Sequence, residues 1–304
     1  MKKDIHVRLL HNPKAGNQDH VKEELIRRIE SQGLICQYAS IKEKGWKRFA
    51  SETTLVVIAG GDGTVREVMK KLLGRRILDK PLTVALIPSG TANNFAKTLG
   101  VSSDLDAFER KIQRWQPKQV DVGRIGKLGK ARFFVEGLGL GLIPRLMEKM
   151  ETVGSDNVHT AEQELQLALE KLHEIVATCP ATRAKVTIDG QEFEDDYLLV
   201  EVLNIKSIGP NLVLAPHADP TDGNFEVALL KHDDREVFST YLHRLQNARP
   251  QAAGGVPWQV VTATREVIID SDGSTIHVDD ELVTSGKRKK IEITIRAGVV
   301  SILT

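Results

Sequence analysis

Gly60-Gly61-Asp62-Gly63-Thr64-Val65-Arg66-Glu67 closes the apolar run Leu55-Val56-Val57-Ile58. Glycines at a strand-to-helix turn open backbone conformations denied to other residues and let another molecule come close to the main chain. Amides at such a turn, with the positive end of the following helix, attract phosphate. Asp62 offers a carboxylate for a cation and Thr64 adds a hydroxyl. Taken alone, the segment serves equally well as an ordinary strand-to-helix connection, so its company decides. Two more apolar runs end in loops of the same small, polar kind. One is Asn12-Pro13-Lys14-Ala15-Gly16, and the other is Pro88-Ser89-Gly90-Thr91-Ala92-Asn93-Asn94-Phe95-Ala96. Far along the chain, strand alternation over 276–282 predicts His277, Asp279 and Glu281 on one face. Ile276, Val278 and Leu282 face the other way with Asp280. That arrangement clusters two acids, which suits removal of a proton from a hydroxyl.

The elements that must carry these residues follow from the hydrophobic pattern. Strands are predicted over 5–10, 34–41, 55–59 and 82–87, with helices over 19–31, 46–51, 65–73, 92–99 and 104–115. Val21, Leu25, Ile26 and Ile29 form one face of the first helix, and Gly33 stops it. Strands alternating with helices imply a mostly parallel sheet covered on both faces. Ligands of such sheets bind beyond the carboxyl ends of the strands, so the three loops are predicted to converge. After residue 123 the pattern changes. One helical region, 157–177, is followed by strand-like segments at 183–188, 197–204, 211–215, 224–230, 258–270, 274–281 and 290–303, which predict an antiparallel sandwich. The expected architecture is an α/β domain over 1–125 and an all-β domain over 126–304, with the last strand able to return to the first domain. The segment 246–257, rich in Ala, Gly and Pro, reads as a loop.

Composition narrows the function classes. A chain of 304 residues can bury one large or two medium cores. A net charge of +1 gives no global attraction to nucleic acid. Cys36 and Cys179 form no Cys-x-x-Cys pair and fit a reduced, cytoplasmic setting. No apolar run is long enough to span a bilayer, so any membrane contact is expected from one side. The nine histidines show no zinc spacing, so no transition metal is expected. Leu165, Leu169, Leu172 and Val176 recur at helical spacing and read as core. Lys287-Arg288-Lys289-Lys290 reads as a solvated hairpin turn, with anionic headgroups as the alternative.

Asn12-Pro-Lys-Ala-Gly16, Gly60-Gly-Asp-Gly-Thr64 with Glu67, and Pro88-Ser-Gly-Thr-Ala-Asn-Asn94 resemble the diacylglycerol kinase catalytic domain in its soluble bacterial form. Ala215-Pro-His-Ala218, Asp222-Gly-Asn-Phe225 and Asp279-Asp-Glu281 follow in the order and spacing of that family. The resemblance covers essentially the whole chain. It implies a two-domain lipid kinase that uses ATP and Mg²⁺ and meets a membrane lipid, diacylglycerol first among the candidates, by peripheral contact with the bilayer. Asn12, Pro13, Lys14, Ala15, Gly16, Ser40, Gly60 to Glu67 (Gly60, Gly61, Asp62, Gly63, Thr64, Val65, Arg66, Glu67), Gly90, Thr91, Asn93 and Asn94 would line the nucleotide site. Glu281 would take the hydroxyl proton, with Asp279 and Asp62 as its catalytic companions. Asp219, Asp222 and Asn224 match a structural magnesium position. No nucleic-acid partner is implied, and a homodimer is left open.

The chain also departs from the family pattern. Asn94 stands where the family has aspartate, removing a charge beside the nucleotide metal. Asp280 replaces the glycine of Asp-Gly-Glu, Arg66 replaces an asparagine, and Lys206-Ser-Ile-Gly-Pro-Asn211 alters a glycine-rich turn on the lipid side. These changes leave other acceptors open, a sphingoid base or another glycerolipid, and also a nucleotide- or lipid-binding protein without turnover. NAD is the weakest acceptor, because no acidic dinucleotide-reading motif is evident.

Overall fold

The computed structural model describes residues 5–15, 21–74, 81–126, 128, 131–153, 160–247, 256, 258–272, 275–283 and 289–304. They form two compact units, one of residues 1–120 with 298–304 and the other of residues 121–297.

In the first unit the order is β1 (His6–His11), α1 (Lys22–Glu30), β2 (Ile35–Ser40), β3 (Thr53–Gly60), α2 (Asp62–Leu73), β4 (Thr83–Pro88), α3 (Asn94–Thr98), α4 (Leu105–Arg114) and the start of β5 (Pro117–Gly126). The sheet runs β4-β3-β1-β2, all parallel. The inner strands β3 and β4 are near-continuous apolar runs because both of their faces are covered, whereas β2 at the edge is half exposed. Val7, Leu9, Val57, Ala59, Ala85 and Ile87 share one core with Leu25 and Ile29 of α1 and with Leu105, Phe108 and Ile112 of α4. Burying Leu25 or Ile29 contributes about 1.5–3 kcal/mol each. Arg28 ties the rims of these helices together through Asp106 at 2.7 Å and Glu109 at 3.0 Å. The chain leaves β1 toward β2, then returns across β1 to β3 and onward to β4. Right-handed crossovers therefore put α1 and α2 on opposite faces. Residues 41–47 form turns, and the helix expected over 46–51 is absent. Trp46 is nonetheless buried.

The second unit continues β5 and adds β6 (Phe133–Phe134), β7 (Gly137–Gly141), α5 (Leu142–Thr152), α6 (Ala161–Thr178), β8 (Thr182–Ile188), β9 (Gln191–Leu203), β10 (Ser207–Ile208), β11 (Leu212–Val213), β12 (Phe225–Lys231), α7 (Arg235–Gln246), β13 (Gln259–Ala263), β14 (Glu266–Ser271), β15 (Ile276–Val278), β16 (Glu281–Val283) and β17 (Lys289–Leu303). Antiparallel pairing runs β16-β15-β7-β9-β8-β14-β17, with β12 and β13 joined to β9. The end of β17 belongs to the first unit, where Ser301–Leu303 pair in parallel with Thr83–Ala85 of β4.

β9 organises this unit. Val200 and Val202 face an all-strand core, and Leu199 and Leu203 face a second core built with α5, α6 and α7. The sequence reading missed α5 and α7, and it placed the strands without helices between them. Helix α7 is rich in β-branched and aromatic residues that favour strands in isolation, and burial of Phe238, Tyr241 and Leu242 overrides that preference. The single strand expected over 258–270 is two strands with different neighbours, β13 on β12 and β14 between β8 and β17, broken at Thr264-Arg265, where the Asp189 carboxylate accepts from both amides. α6 starts from a capping box at Thr160 and Gln163 and buries Leu169, Leu172 and Val176, which makes the Leu/Val stripe core. Most of the loop expected over 246–257, and residues 287 and 288 of the basic cluster, lie outside the described residues.

Candidate functional site

The point where the chain reverses direction lies between the carboxyl ends of β1 and β3, and three of the loops singled out above meet there. Asn12 follows β1; its amide donates to the Ala59 carbonyl at 2.9 Å, and its side-chain Nδ2 donates to Thr64 Oγ1 at 3.2 Å. Asn12 Oδ1 accepts from the Lys14 amide, which folds 12–15 back on itself. The Ser89 amide donates to the Gly60 carbonyl at 3.1 Å, joining the ends of β4 and β3.

Two glycines explain why this junction closes. A Cβ at Gly90 would stand 2.3 Å from the Gly61 Cα, and one at Gly61 would stand 2.8 Å from the Gly90 Cα. Bare main chain touches bare main chain, so part of the glycine demand is internal to the protein. Asn93 then seals its own loop: Oδ1 accepts from the Gly90 amide at 2.9 Å and Nδ2 donates to the Gly90 carbonyl at 2.7 Å. Asn93 sits at φ 52°, a conformation asparagine tolerates better than most residues.

Asp62, the first residue of α2, clamps this loop. Its carboxylate accepts from the amides of Asn94 at 2.9 Å and Phe95 at 3.3 Å, capping α3 from another element. Part of Asp62 still meets solvent, but its carboxylate is closely surrounded. Burial pushes its pKa above the ordinary aspartate range, against the α3 amides and the Lys97 charge that favour the ionised form. The protonated form is thus relatively favoured in the fold. This contribution is full below the unfolded aspartate value and is lost as pH rises through the elevated one. As pH rises above the ordinary aspartate value, wild-type Tm should therefore fall relative to Asp62→Asn, measured by calorimetry. Parallel Tm profiles would show that Asp62 titrates normally.

The N-terminus of α2 has no side-chain cap, because Gly61 occupies the cap position and has no side chain to offer. Its first amides are free of side-chain competition for an anion. Ser40 ends β2 opposite His11 and turns its Oγ to the Lys42 amide. Glu67 lies one turn along α2 and pairs with Lys47 at 3.6 Å. Gly16 lies outside the described residues.

The acidic residues of the second unit sit differently from the alternation expected for them. Asp279 and Asp280 form a two-residue turn between β15 and β16, with Val278 opposite Glu281 and His277 opposite Leu282. Glu281 therefore does not share the face of His277, because period-2 alternation stops at a hairpin. The signal was local: Asp-Asp occupies the place where tight hairpins take Asp-Gly. Asp279 lies at φ 52° and is buried, and its Oδ1 accepts from the amides of Val135 (3.1 Å), Glu136 (2.8 Å) and Gly137 (3.2 Å). It is a builder of the turn, and Glu281 is the exposed acid of the pair.

The three residues matched to a magnesium position share one loop. Asp219 Oδ1 accepts from the Thr221 amide and hydroxyl, and Asp222 Oδ1 accepts from the Asn224 amide. Buried Asp121 anchors that loop by accepting from the Gly223 amide at 2.7 Å. Among the described residues, no group of three or more His, Cys, Asp or Glu side chains is placed to hold a metal. The set at 219–224 is oxygen-only and solvent-facing, chemistry that suits a hydrated hard cation.

The sequence reading missed Phe95 as a partner of Asp62. It also missed a fully buried Glu201–His277 pair, with Nε2 to Oε2 at 2.8 Å. The alternating glycines of Gly137-Leu-Gly-Leu-Gly141 were the available signal, since period 2 leaves one strand face without side chains.

Comparison with known proteins fits this geometry. Residues 6–125 match the diacylglycerol kinase catalytic domain, and residues 148–302 match the YegS C-terminal NAD kinase beta sandwich-like domain. A diacylglycerol kinase of Bacillus subtilis is 27% identical over 233 residues, covering 74% of this chain and 73% of that protein. A Yersinia enterocolitica protein named "Probable lipid kinase YegS-like" is 22% identical over 298 residues, 94% of this chain and 92% of its own. The crystal structure of a diacylglycerol kinase from Bacillus anthracis superposes with a TM-score of 0.73 at 23% identity, over 100% of this chain and 98% of that one. An NAD kinase from Archaeoglobus fulgidus in complex with ATP shares the fold at a TM-score of 0.53 and 10% identity, covering 99% and 94%. With a parallel α/β unit, a β-sandwich-like unit and both family domains in order, the chain belongs to the diacylglycerol kinase catalytic-domain family of lipid kinases.

Proposed function

We propose that this protein transfers the γ-phosphate of ATP to a hydroxyl of a membrane lipid, with diacylglycerol as acceptor and phosphatidic acid as product. The observation that carries the reading is the junction of Asn12, Gly60–Thr64 and Gly90–Phe95 at the switch point, beside the uncapped N-terminus of α2. Phosphoryl transfer asks chiefly for positioning and charge neutralisation. The α2 amides and the Thr64 hydroxyl bind phosphate oxygens in this scheme, and Asn12 and Asn93 keep their loops in register. Asp62 and Asn94 would hold Mg²⁺, which when bound would neutralise the phosphate charge. Glu281 takes the acceptor proton as the lipid oxygen bonds to γ-phosphorus and the β–γ bridging oxygen departs with ADP. The solvent-facing set Asp219, Asp222 and Asn224 would hold a second, structural Mg²⁺. The acceptor brings the protein to one bilayer surface. Among the described residues no helix is long and apolar enough to cross.

The names of the relatives support diacylglycerol over a sphingoid base or another glycerolipid. The test is mass spectrometry of lipids that gain phosphate when the purified protein meets labelled ATP, Mg²⁺ and a total membrane extract. Phosphatidic acid is the expected product. A different phosphorylated lipid would reassign the acceptor, and absence of transfer over a broad panel, unrestored by Asn94→Asp, would overturn the reading.

A further inference from the structure

Glu201 of β9, Gly139 of β7 and His277 of β15 stand abreast across three paired strands, since Gly139 pairs with both of the others. Glu201 lies between Leu199 and Leu203, on the face that contributes to the helix-covered core. A carboxylate there needs a partner, and its neighbour across the pairing is a glycine. A Cβ at Gly139 would lie 2.1 Å from Glu201 Cδ, so the carboxylate occupies the space that any side chain at 139 would fill. It passes over Gly139 and reaches His277 Nε2 with both oxygens, at 2.8 and 3.0 Å. Both side chains are fully buried.

The ring's other nitrogen shows what the pair does. His277 Nδ1 lies 2.7 Å from the Asp279 carbonyl, which can only accept, so Nδ1 carries a hydrogen and donates it. Nε2 then shares one proton with Glu201, as imidazolium against carboxylate or as imidazole against carboxylic acid. Either form has no net charge, which makes burial tolerable. Burial pushes the Glu201 carboxyl upward. It works against a charged His277, yet the Glu201 carboxylate holds that histidine above its ordinary value. A buried pair of this kind adds little net stability compared with apolar residues; what it supplies is a specified geometry.

That geometry is the turn at Asp279-Asp280. His277 holds the Asp279 carbonyl, the Asp279 amide donates to the Gly137 carbonyl at 2.8 Å, and the Asp279 carboxylate collects three amides from 135–137. The residue that follows this pinned turn is Glu281. We infer that Glu201 and His277, with Gly139 as the gap between them, are positioning residues that set the turn presenting Glu281. The functional half of the inference rests on the reading of Glu281 as proton acceptor; the structural half does not.

The experiment combines amide hydrogen exchange with kinetics on a short-chain diacylglycerol in mixed micelles. Gly139→Ala, Glu201→Ala and His277→Gln are expected to speed exchange at residues 279–281 by about tenfold or more while β8 and β14 keep their protection. They should lower kcat by about 10- to 100-fold, with the KM for ATP held within about twofold. His277→Gln is the mildest for the fold, because the glutamine amide still meets Glu201 and loses only the Asp279 carbonyl. Glu201→Gln should recover most of the rate, since its amide can donate to neutral Nε2. Unchanged exchange at the turn in His277→Gln and Gly139→Ala overturns the inference. So does a Glu201→Gln enzyme as slow as Glu201→Ala. A fully active Glu281→Gln enzyme removes the proton-acceptor reading instead, and exchange at the turn still decides the positioning.

Discussion

Glu281→Gln is expected to cut phosphate transfer to diacylglycerol by about 10²–10⁴-fold, the range for loss of one general base. Glutamine keeps the volume and a hydrogen-bonding carbonyl but cannot take the hydroxyl proton. ATP affinity should be unchanged, because the loops proposed to hold the nucleotide, Asn12–Ala15, Gly60–Glu67 and Gly90–Asn94, all belong to the first unit while Glu281 belongs to the second. Labelled-phosphate transfer and ATP titration calorimetry on one preparation separate the two effects. A variant with the wild-type rate would exclude Glu281 as the base. One that loses ATP affinity in step with rate would show it acting in binding.

Gly90→Ala is expected to have the second largest effect, on folding and nucleotide binding together. The new methyl would meet the Gly61 Cα at 2.3 Å, the Asn93 Oδ1 at 2.9 Å and the Gly61 amide nitrogen at 3.2 Å. Backbone cannot swing aside as a flexible side chain can, so the β3 and β4 loops must part. Overpacking of this kind costs about 1–3 kcal/mol. Parting the loops also strains the Ser89–Gly60 bond and the grip of Asp62 on Asn94 and Phe95. Tm should fall by several degrees, and ATP affinity should drop by about tenfold or more, the weight of one to two lost phosphate contacts. Wild-type affinity in a folded Gly90→Ala protein would show that ATP does not depend on this junction. Gly61→Ala should follow with a milder loss, its contact being 2.8 Å.

The two units were unequally readable from sequence. In the first, strand, glycine turn and helix succeed one another locally, and the convergence of loops follows from a general property of parallel sheets. The order of motifs also carried the family. What could not be read was the division of labour inside the glycine loops. Gly61 and Gly90 are glycine because they touch each other, and Asp62 spends both oxygens on the amides of α3. Each of these is a contact between residues about thirty positions apart, which no local pattern encodes.

The second unit was read as strands because its β-branched segments are strong and its helices are locally ambiguous. Over 235–246, Val237, Phe238, Thr240 and Tyr241 score as strand formers until Phe238, Tyr241 and Leu242 meet the back of β9 and β12. Likewise, alternation over 276–282 is a sound rule for an unbroken strand and fails where Asp279 adopts a positive φ.

Residue types and order alone therefore specified a kinase of this family, its α/β and β-sandwich halves, and the turns that would handle phosphate. Those features rest on short-range chemistry: glycine's conformational range, apolar periodicity, and acids at fixed spacing. Tertiary structure decided the rest: which face Glu281 takes, what Asp62 grips, and why Gly139 must lack a side chain. These depend on strand register, which brings Glu201, Gly139 and His277 abreast from positions far apart in the chain.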